Sequence, residues 1–461
     1  MTPGLRHKLK EALLAIVGPE GFSEALIDMV SYSGDASEHS HRPQAAVWPQ
    51  SAQQVADILR LANRERLPVV PRGAGTGLAG AVVPVRGGLV MDLARMNRIR
   101  EISLADRLVV VEPGVVFAQL QAALAPSGFS FPPDPASGKV ATLGGNVATN
   151  AGGLQGAKYG VTRDYVLGLE VALADGSLMR TGSRCMKSVS GYDLTGLMVG
   201  SEGTLGVVTE ITLKVVPKPP LSATASASFG DLRQAGDAIR QIMSSRFTPS
   251  VLEILDAECI KVLNRHAGQN LPEGAAMVLA EADGHTEEET GYQIRQVTQA
   301  FAEHEAQNIA LAESPEEAQE FWAARKAIGG TLFSLNNTML AEDVTVPLSK
   351  VTDMLVGIGE TARRNGVLIA TLGHLGDGNL HPNLIIDGRD PGQLARAHRA
   401  AAELFSLAVE LGGTLTGEHG IGLAKAPFML LEHDETAMRM MRQIKQTFDP
   451  HDILNPGKMG L

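Results

Sequence analysis

Cysteine is nearly absent: the 461 residues contain only Cys185 and Cys259. Two thiols cannot build a disulfide framework, a four-thiolate zinc site or an iron–sulfur cluster. Positive charge is also short, with 40 Lys and Arg against 51 Asp and Glu, a formal net charge of −11. That balance argues against a nucleic-acid ligand, because phosphate binding needs a surplus of Lys and Arg. No stretch reaches the ~18 consecutive apolar residues of a membrane span. Residues 1–11 are polar and mixed in charge, without the apolar core of a secretion signal. A soluble cytoplasmic protein is expected. Histidine is missing from a long stretch, with none between His41 and His266, while eight of the twelve fall from His285 to His451. The two halves are therefore expected to do different chemical work.

Glycine is the excess. The chain has 50, of which 23 lie in the 139 residues from Pro68 to Gly206. Glycine costs backbone entropy in regular structure, so such density points to tight turns or close approach to a ligand. Gly73-Ala74-Gly75-Thr76-Gly77 follows the apolar Leu67–Pro71 stretch, and successive glycines let backbone N–H groups converge on an anion. No Gly-Lys-Ser/Thr follows, so this is not a Walker loop, and no acidic ribose ligand stands at the Rossmann spacing. A second block runs from Pro132-Pro133-Asp134-Pro135 through Thr142-Leu143-Gly144-Gly145-Asn146-Val147-Ala148-Thr149-Asn150-Ala151-Gly152-Gly153 to Tyr159-Gly160. Its small side chains suit wrapping a planar ligand better than filling a core. The third block is Gly200-Ser201-Glu202-Gly203-Thr204-Leu205-Gly206-Val207-Val208.

Around these blocks the pattern alternates strand and helix. Strands are expected at 45–48, 67–71, 89–92, 108–111, 168–174 and 207–216, and helices at 52–63 (with Ser51 as cap) and 115–125. Within residues 1–30 one or two amphipathic helices are expected. Pro217-Lys218-Pro219-Pro220 stiffens the chain and marks a boundary. Beyond it, helices at 229–244 and 286–306 and a strand at 276–279 belong to two strand-and-helix passes, 222–310 and 338–410. These fit a ferredoxin-like sheet covered by helices. A last helix is expected at 435–448, with a tail around 454–458. The fold class is α+β.

In the second half, Gly373-His374-Leu375-Gly376-Asp377-Gly378-Asn379-Leu380-His381-Pro382-Asn383 sets two histidines seven apart, too far for neighbouring ligands on one helix face. The Gly376–Asn379 turn sequence could fold His374 and His381 toward one metal. Gly417-Glu418-His419-Gly420-Ile421-Gly422 adds a carboxylate and another imidazole. Two histidines and a carboxylate would leave open positions on a divalent ion.

The three glycine blocks resemble the FAD domain of the vanillyl-alcohol oxidase/p-cresol methylhydroxylase flavoprotein superfamily. The histidine motifs resemble the FAD-linked D-2-hydroxy acid dehydrogenases, among them glycolate oxidase catalytic subunits and D-lactate dehydrogenases. The resemblance implies a two-subdomain FAD-binding domain over 1–220, a ferredoxin-like antiparallel substrate (cap) domain over 221–430, and a helix and tail, 431–461, returning to the FAD domain. It implies cofactor contacts from Arg72, Gly73, Ala74, Gly75, Thr76, Gly77, Pro133, Asp134, Thr142, Gly144, Gly145, Ala148, Asn150, Gly152, Gly153, Tyr159, Gly160, Glu202, Gly206, Val208 and Asn455. Some superfamily members attach FAD through a histidine of this domain; with no histidine between His41 and His266, non-covalent FAD is expected here. Carried over position by position, His374, His381 and Glu418 become ligands of a divalent metal, Zn²⁺ or another first-row ion. His419 becomes the catalytic base, and Asn383 lies close to substrate. Arg325, in Phe321-Trp322-Ala323-Ala324-Arg325-Lys326, becomes the clamp on the substrate carboxylate, a task that suits a guanidinium fork.

The implied reaction oxidises a small D-2-hydroxy acid to the 2-oxo acid, with hydride passing to flavin N5. Relatives acting on D-2-hydroxyglutarate grip its second carboxylate with an added threonine and lysine. The approximate equivalents here, Gly329 and Ala341, cannot do so, and Glu342 would repel it. D-lactate is therefore expected ahead of glycolate, with D-2-hydroxyglutarate as the alternative. The electron acceptor is expected to be separate: an iron–sulfur subunit, an electron-transferring flavoprotein, or a cytochrome or quinone route that could hold the protein peripherally at a membrane. A homodimer is left open. Two readings of other classes stand beside this one. A metal-dependent hydrolase would leave the glycine blocks idle, and a non-catalytic flavin-binding subunit would not need Arg325 and His419.

Overall fold

A computed structural model describes residues 5–335 and 338–461. The chain forms two compact units. The first comprises the described part of Met1–Gly152 together with Val161–Lys218 and Glu418–Leu461, and the second comprises Gly153–Gly160 and Pro219–Gly417.

The first unit contains two main sheets. In one, the strands stand in the order Phe22–Ser23, Ala45–Val47, Leu89–Asp92, Val69–Arg72. Ala45–Val47 and Val69–Arg72 both run parallel to Leu89–Asp92. Parallel neighbours need a crossover, and the helix Ala52–Glu65 supplies part of it. That helix starts where Ser51 Oγ accepts from Gln54 N (3.3 Å) and ends where Arg66 turns left-handed. Its buried face, Val55, Ile58, Leu59 and Ala62, packs with Leu13, Val47, Leu89 and Met91. The second sheet is antiparallel, ordered Ile99–Ser103, Leu108–Val111, Val207–Lys214, Val166–Ala172, Leu178–Gly182. Val207–Lys214 alternates buried and half-buried positions, the mark of a sheet with one covered face. Phe117, Leu120, Leu143 and Val147 cover that sheet's Val109, Val111, Leu169 and Ile211. The tail after the helix Glu435–Phe448 rejoins the first sheet, where Asn455 N donates to Val69 O (2.8 Å).

The second unit is built on one antiparallel sheet, ordered Gln307–Leu311, Leu221–Phe229, Ala276–Gly284, Val251–Asp256, Leu368–His374, Asn379–Ile386, Thr338–Ala341, with Val344–Thr345 also on Asn379–Ile386. Its first four strands in the chain and their helices follow the strand–helix–strand–strand–helix–strand order of a ferredoxin-like pass, with the helix Ala257–His266 inserted. On one face, that helix and Pro315–Leu335 bury Leu255, Met277, Leu279, Ala370 and Leu372. The motif positions are set by this face.

The unit boundaries differ from the expected ones. The chain returns to the first unit at Glu418 rather than 431, and Gly153–Gly160 belongs to the second unit. The second difference has a local cause, since Lys158 and Tyr159 both bind Asp283 of the second unit. Pro315–Leu335 is a 21-residue helix that the periodicity does not announce.

Candidate active site

In the first unit, the glycine blocks come together around one cleft. Arg72, Gly73, Ala74, Gly75, Thr76 and Gly77 line it, with Thr142, Gly144, Gly145, Ala148, Glu202, Gly206 and Val208, and with Glu418 and His419. The sequence reading missed Asp35, Leu78, Asn146 and Ser201, which also line it. Two glycines are required, Gly75 by its left-handed backbone and Gly73 by contact. A Cβ on Gly75, at φ 69°, would collide with the Arg72 guanidinium, and one on Gly73 would collide with Thr142 Oγ1. Thr142 itself caps the short helix Leu143–Thr149 by accepting from Gly145 N (3.3 Å). Arg72 Nη1 donates to Gly34 O (2.8 Å), and burial pulls its guanidinium below the ordinary arginine value.

The remaining predicted contacts fall elsewhere. Pro133 and Asp134 do not line the cleft, whereas the next residues, Pro135, Ala136 and Ser137, do. Asn150 ends the helix in a left-handed conformation and accepts from Arg163 N (2.8 Å). Gly152 lies behind Glu418, whose Oε2 would be 3.2 Å from an added Cβ. Gly153, Tyr159 and Gly160 belong to the second unit, where the Tyr159 hydroxyl donates to Asp283 (2.6 Å). Glu202 lines the cleft but spends its carboxylate on the main chain after His419, accepting from Ile421 N (2.6 Å) and Gly422 N (2.9 Å). Burial raises its pKa, and those two donors oppose the rise. Asn455 is buried, and its amide donates to Ala81 O (2.8 Å) and Glu202 O (2.7 Å).

The cleft fits a phosphate-bearing flavin nucleotide. Asn146 Nδ2, on a residue that lines the cleft, is buried with no hydrogen-bond partner among the described residues. Buried polar groups are nearly always satisfied, so atoms of this kind beside a cleft mark where ligand or water atoms belong. The glycines keep side chains off the backbone that would meet a pyrophosphate.

In the second unit, the other predicted residues gather on one sheet face. Residues opposite each other on neighbouring strands share a face. The pairs Glu253↔His374, Leu372↔His381, Ala370↔Asn383 and Ala341↔Asn383 therefore bring Glu253, His374, His381, Asn383 and Ala341 to one side. The turn after His374, with Gly378 at φ 80°, brings His381 back beside it. The two rings meet edge to face, 4.9 Å between centroids, at 5% and 7% exposure. Asn383 Nδ2 donates to His381 O (2.9 Å) and Ala370 O (3.2 Å). Arg325 projects from Pro315–Leu335, one residue after Ala324 and three before Ile328, both of which face this core. Its Nε donates to Glu253 Oε2 (2.6 Å), while Glu253 Oε1 holds His374 Nδ1. Sequence reasoning missed Glu253. The available signal was a carboxylate flanked on both sides by apolar residues, Val251-Leu252 and Ile254-Leu255.

Residues 43–182 match the FAD binding domain family, and residues 218–459 match the C-terminal domain of the FAD linked oxidases. Glycolate oxidase subunit GlcD of Bacillus subtilis (strain 168) is 41% identical over 453 residues, 98% of this chain and 96% of that protein. D-lactate dehydrogenase of Anaerostipes hadrus is 33% identical over 470 residues, 100% of this chain and 98% of that protein. Among solved structures, p-cresol methylhydroxylase with substrate bound superposes with a TM-score of 0.83 at 20% identity, covering 98% of this chain and 96% of that one. That likeness establishes the fold. The glycine-lined cleft, the helix-covered antiparallel sheet and the matches over both halves together place the chain in the FAD-linked oxidase family of flavoprotein oxidoreductases.

Proposed function

We propose that the protein oxidises a small D-2-hydroxy acid to the 2-oxo acid with non-covalently bound FAD, D-lactate ahead of glycolate. The observation that carries this reading is the pairing of Arg325 and His374 on the Glu253 carboxylate. It puts a guanidinium for a carboxylate next to an imidazole able to ligate a metal. The names of the relatives, glycolate oxidase and D-lactate dehydrogenase, point to the same substrate class.

Each residue then has a task. Arg325 keeps its terminal nitrogens for the C1 carboxylate, since Glu253 takes only Nε. Asn383 sits on the same face and borders the substrate. Ala341 pairs with Asn383 in the sheet, and Gly329 has open space around it, so neither offers a grip for a second carboxylate. His419, among the cleft residues that would hold the flavin, takes the hydroxyl proton. FAD bound in the cleft supplies the two-electron acceptor. A divalent ion, Zn²⁺ in this proposal, would supply Lewis-acid polarisation of the 2-hydroxyl. His374 and His381 would hold the ion, and Glu418 is proposed as the third ligand. The chain enters Glu418 directly from Gly417, whose N–H is fixed to the buried Asp343 (2.7 Å). Electrons leave to a separate acceptor: an iron–sulfur subunit, an electron-transferring flavoprotein, or a cytochrome or quinone route. We place the protein in the cytoplasm; among the described residues no helix is long and apolar enough to cross a membrane.

The test is dye-linked kcat/KM for D-lactate, L-lactate, glycolate and D-2-hydroxyglutarate. D-lactate is expected to lead and glycolate to follow. A lead for the diacid would overturn the substrate assignment.

A further inference from the structure

Glu253 joins two of the predicted site residues of the second unit. It is fully buried in the strand Val251–Asp256, whose neighbours Val251, Leu252, Ile254 and Leu255 are buried and apolar. An anion in such a place persists only when both oxygens are engaged. Each oxygen engages a different group: Oε2 accepts from Arg325 Nε (2.6 Å), and Oε1 meets His374 Nδ1. The strand register fixes the second contact, because Glu253 stands directly opposite His374. The first contact is fixed by the helix that packs Ala324, Ile328 and Leu332 onto the same face.

These contacts decide which nitrogens face outward. With Nδ1–H donated to Glu253, His374 is held in the tautomer whose Nε2 lone pair can ligate a metal. With Nε donated to the same carboxylate, the plane and aim of the Arg325 guanidinium are set by Glu253. We propose that Glu253 is a positioning residue shared by two sites, setting the metal-ligating tautomer of His374 and the aim of Arg325 at once. This rests on the reading above, in which His374 ligates a metal and Arg325 binds a substrate carboxylate. Glu253 touches neither substrate nor metal.

Glu253→Gln separates the two effects. An amide has one accepting oxygen and one donating nitrogen. The oxygen must face Arg325, which can only donate. The –NH₂ then faces His374 Nδ1 and turns it into an acceptor, which moves the ring proton to Nε2 and blocks ligation there. The experiment is Zn²⁺ binding to the purified flavin-loaded protein, by competition with a chromophoric chelator, alongside KM for D-lactate and the thermal midpoint. The expected result for Glu253→Gln is Zn²⁺ affinity lower by roughly 10- to 100-fold, as for other residues that orient metal ligands. KM should change by less than that factor, because the Arg325 contact survives. Glu253→Asp keeps the charge but is one methylene too short to hold both partners. It should also weaken Zn²⁺, and it carries the test if the amide variant does not fold. Unchanged Zn²⁺ affinity in the folded variants would overturn the positioning role while leaving the reading intact. A wild-type protein that binds no Zn²⁺ overturns the metal reading itself, and the inference with it.

Discussion

Arg325 and His419 are the residues on which the proposed chemistry turns. A guanidinium fork gives a carboxylate two parallel charge-assisted hydrogen bonds, and an ammonium gives one point contact. Arg325→Lys should therefore lower kcat/KM for D-lactate by about 10- to 100-fold, mostly through KM; steady-state kinetics with a dye acceptor checks this, and a wild-type KM would rule out the clamp. His419→Gln should cut kcat per bound flavin by roughly 10²- to 10⁴-fold, the usual worth of a positioned base; equal turnover per flavin would remove His419 from the reaction. His374, His381 and Arg325 were legible because local motifs carry them. Glu253 was not, because its importance comes from a strand partner 121 positions away. Strand register is invisible to local pattern. Glu202 was legible as a cleft residue but not in its task, since the donors it accepts from, Ile421 and Gly422, come from the far end of the chain.

Among the elements, those with local signals read well. Ser51 announced the start of Ala52–Glu65, and the period-two pattern announced Val207–Lys214. Two did not read so plainly. The block Leu143–Thr149, whose small residues suit wrapping a planar ligand, is a helix, ended by Asn150 in a left-handed turn. The same small residues serve both ends, because a helix with glycines on its surface lets other backbone come close: a Cβ on Gly144 would be 2.9 Å from Pro113 O. Pro315–Leu335 escaped notice because only Ala324, Ile328 and Leu332 along it are buried, too narrow a stripe to stand out. The loop Gly73–Gly77 makes its own prediction. Gly75→Ala adds left-handed backbone strain of about 1–2 kcal/mol and a collision with Arg72. FAD affinity should fall at least ~10-fold, seen as flavin lost on gel filtration; full retention of the yellow colour would mean that the loop does not hold the nucleotide.

At the scale of the whole molecule, the proline run at 217–220 was readable as a breakpoint, and the chain passes between units at Lys218–Pro219. The return at Glu418 carried no composition signal, since Gly417–Gly422 reads as one continuous motif. The tail that closes the first unit gives a pH prediction. Lys458 is 1% exposed and donates to Val83 O (2.7 Å). Burial pushes its pKa from the ordinary 10.5 down to about 8, against the opposing pull of Glu202. Between those values the unfolded chain holds the proton and the folded protein does not. Stability from this group therefore rises with pH across that window, by up to about 1.4 kcal/mol per pH unit. Urea unfolding at about pH 7.5 and about pH 9.5, on either side of the folded value, should show this gain in the wild type and its loss in Lys458→Met. Parallel pH slopes in the two proteins would contradict it.

The central claim is that a flavin in the first unit is reduced by a hydroxy acid held through the second. Anaerobic addition of D-lactate to the purified flavin-loaded protein, followed in the visible flavin band, tests it most directly. The account predicts that the band bleaches with D-lactate, far more slowly with L-lactate, and more slowly in Arg325→Lys than in wild type. A band that persists with every 2-hydroxy acid, or that bleaches equally fast in both proteins, would contradict it.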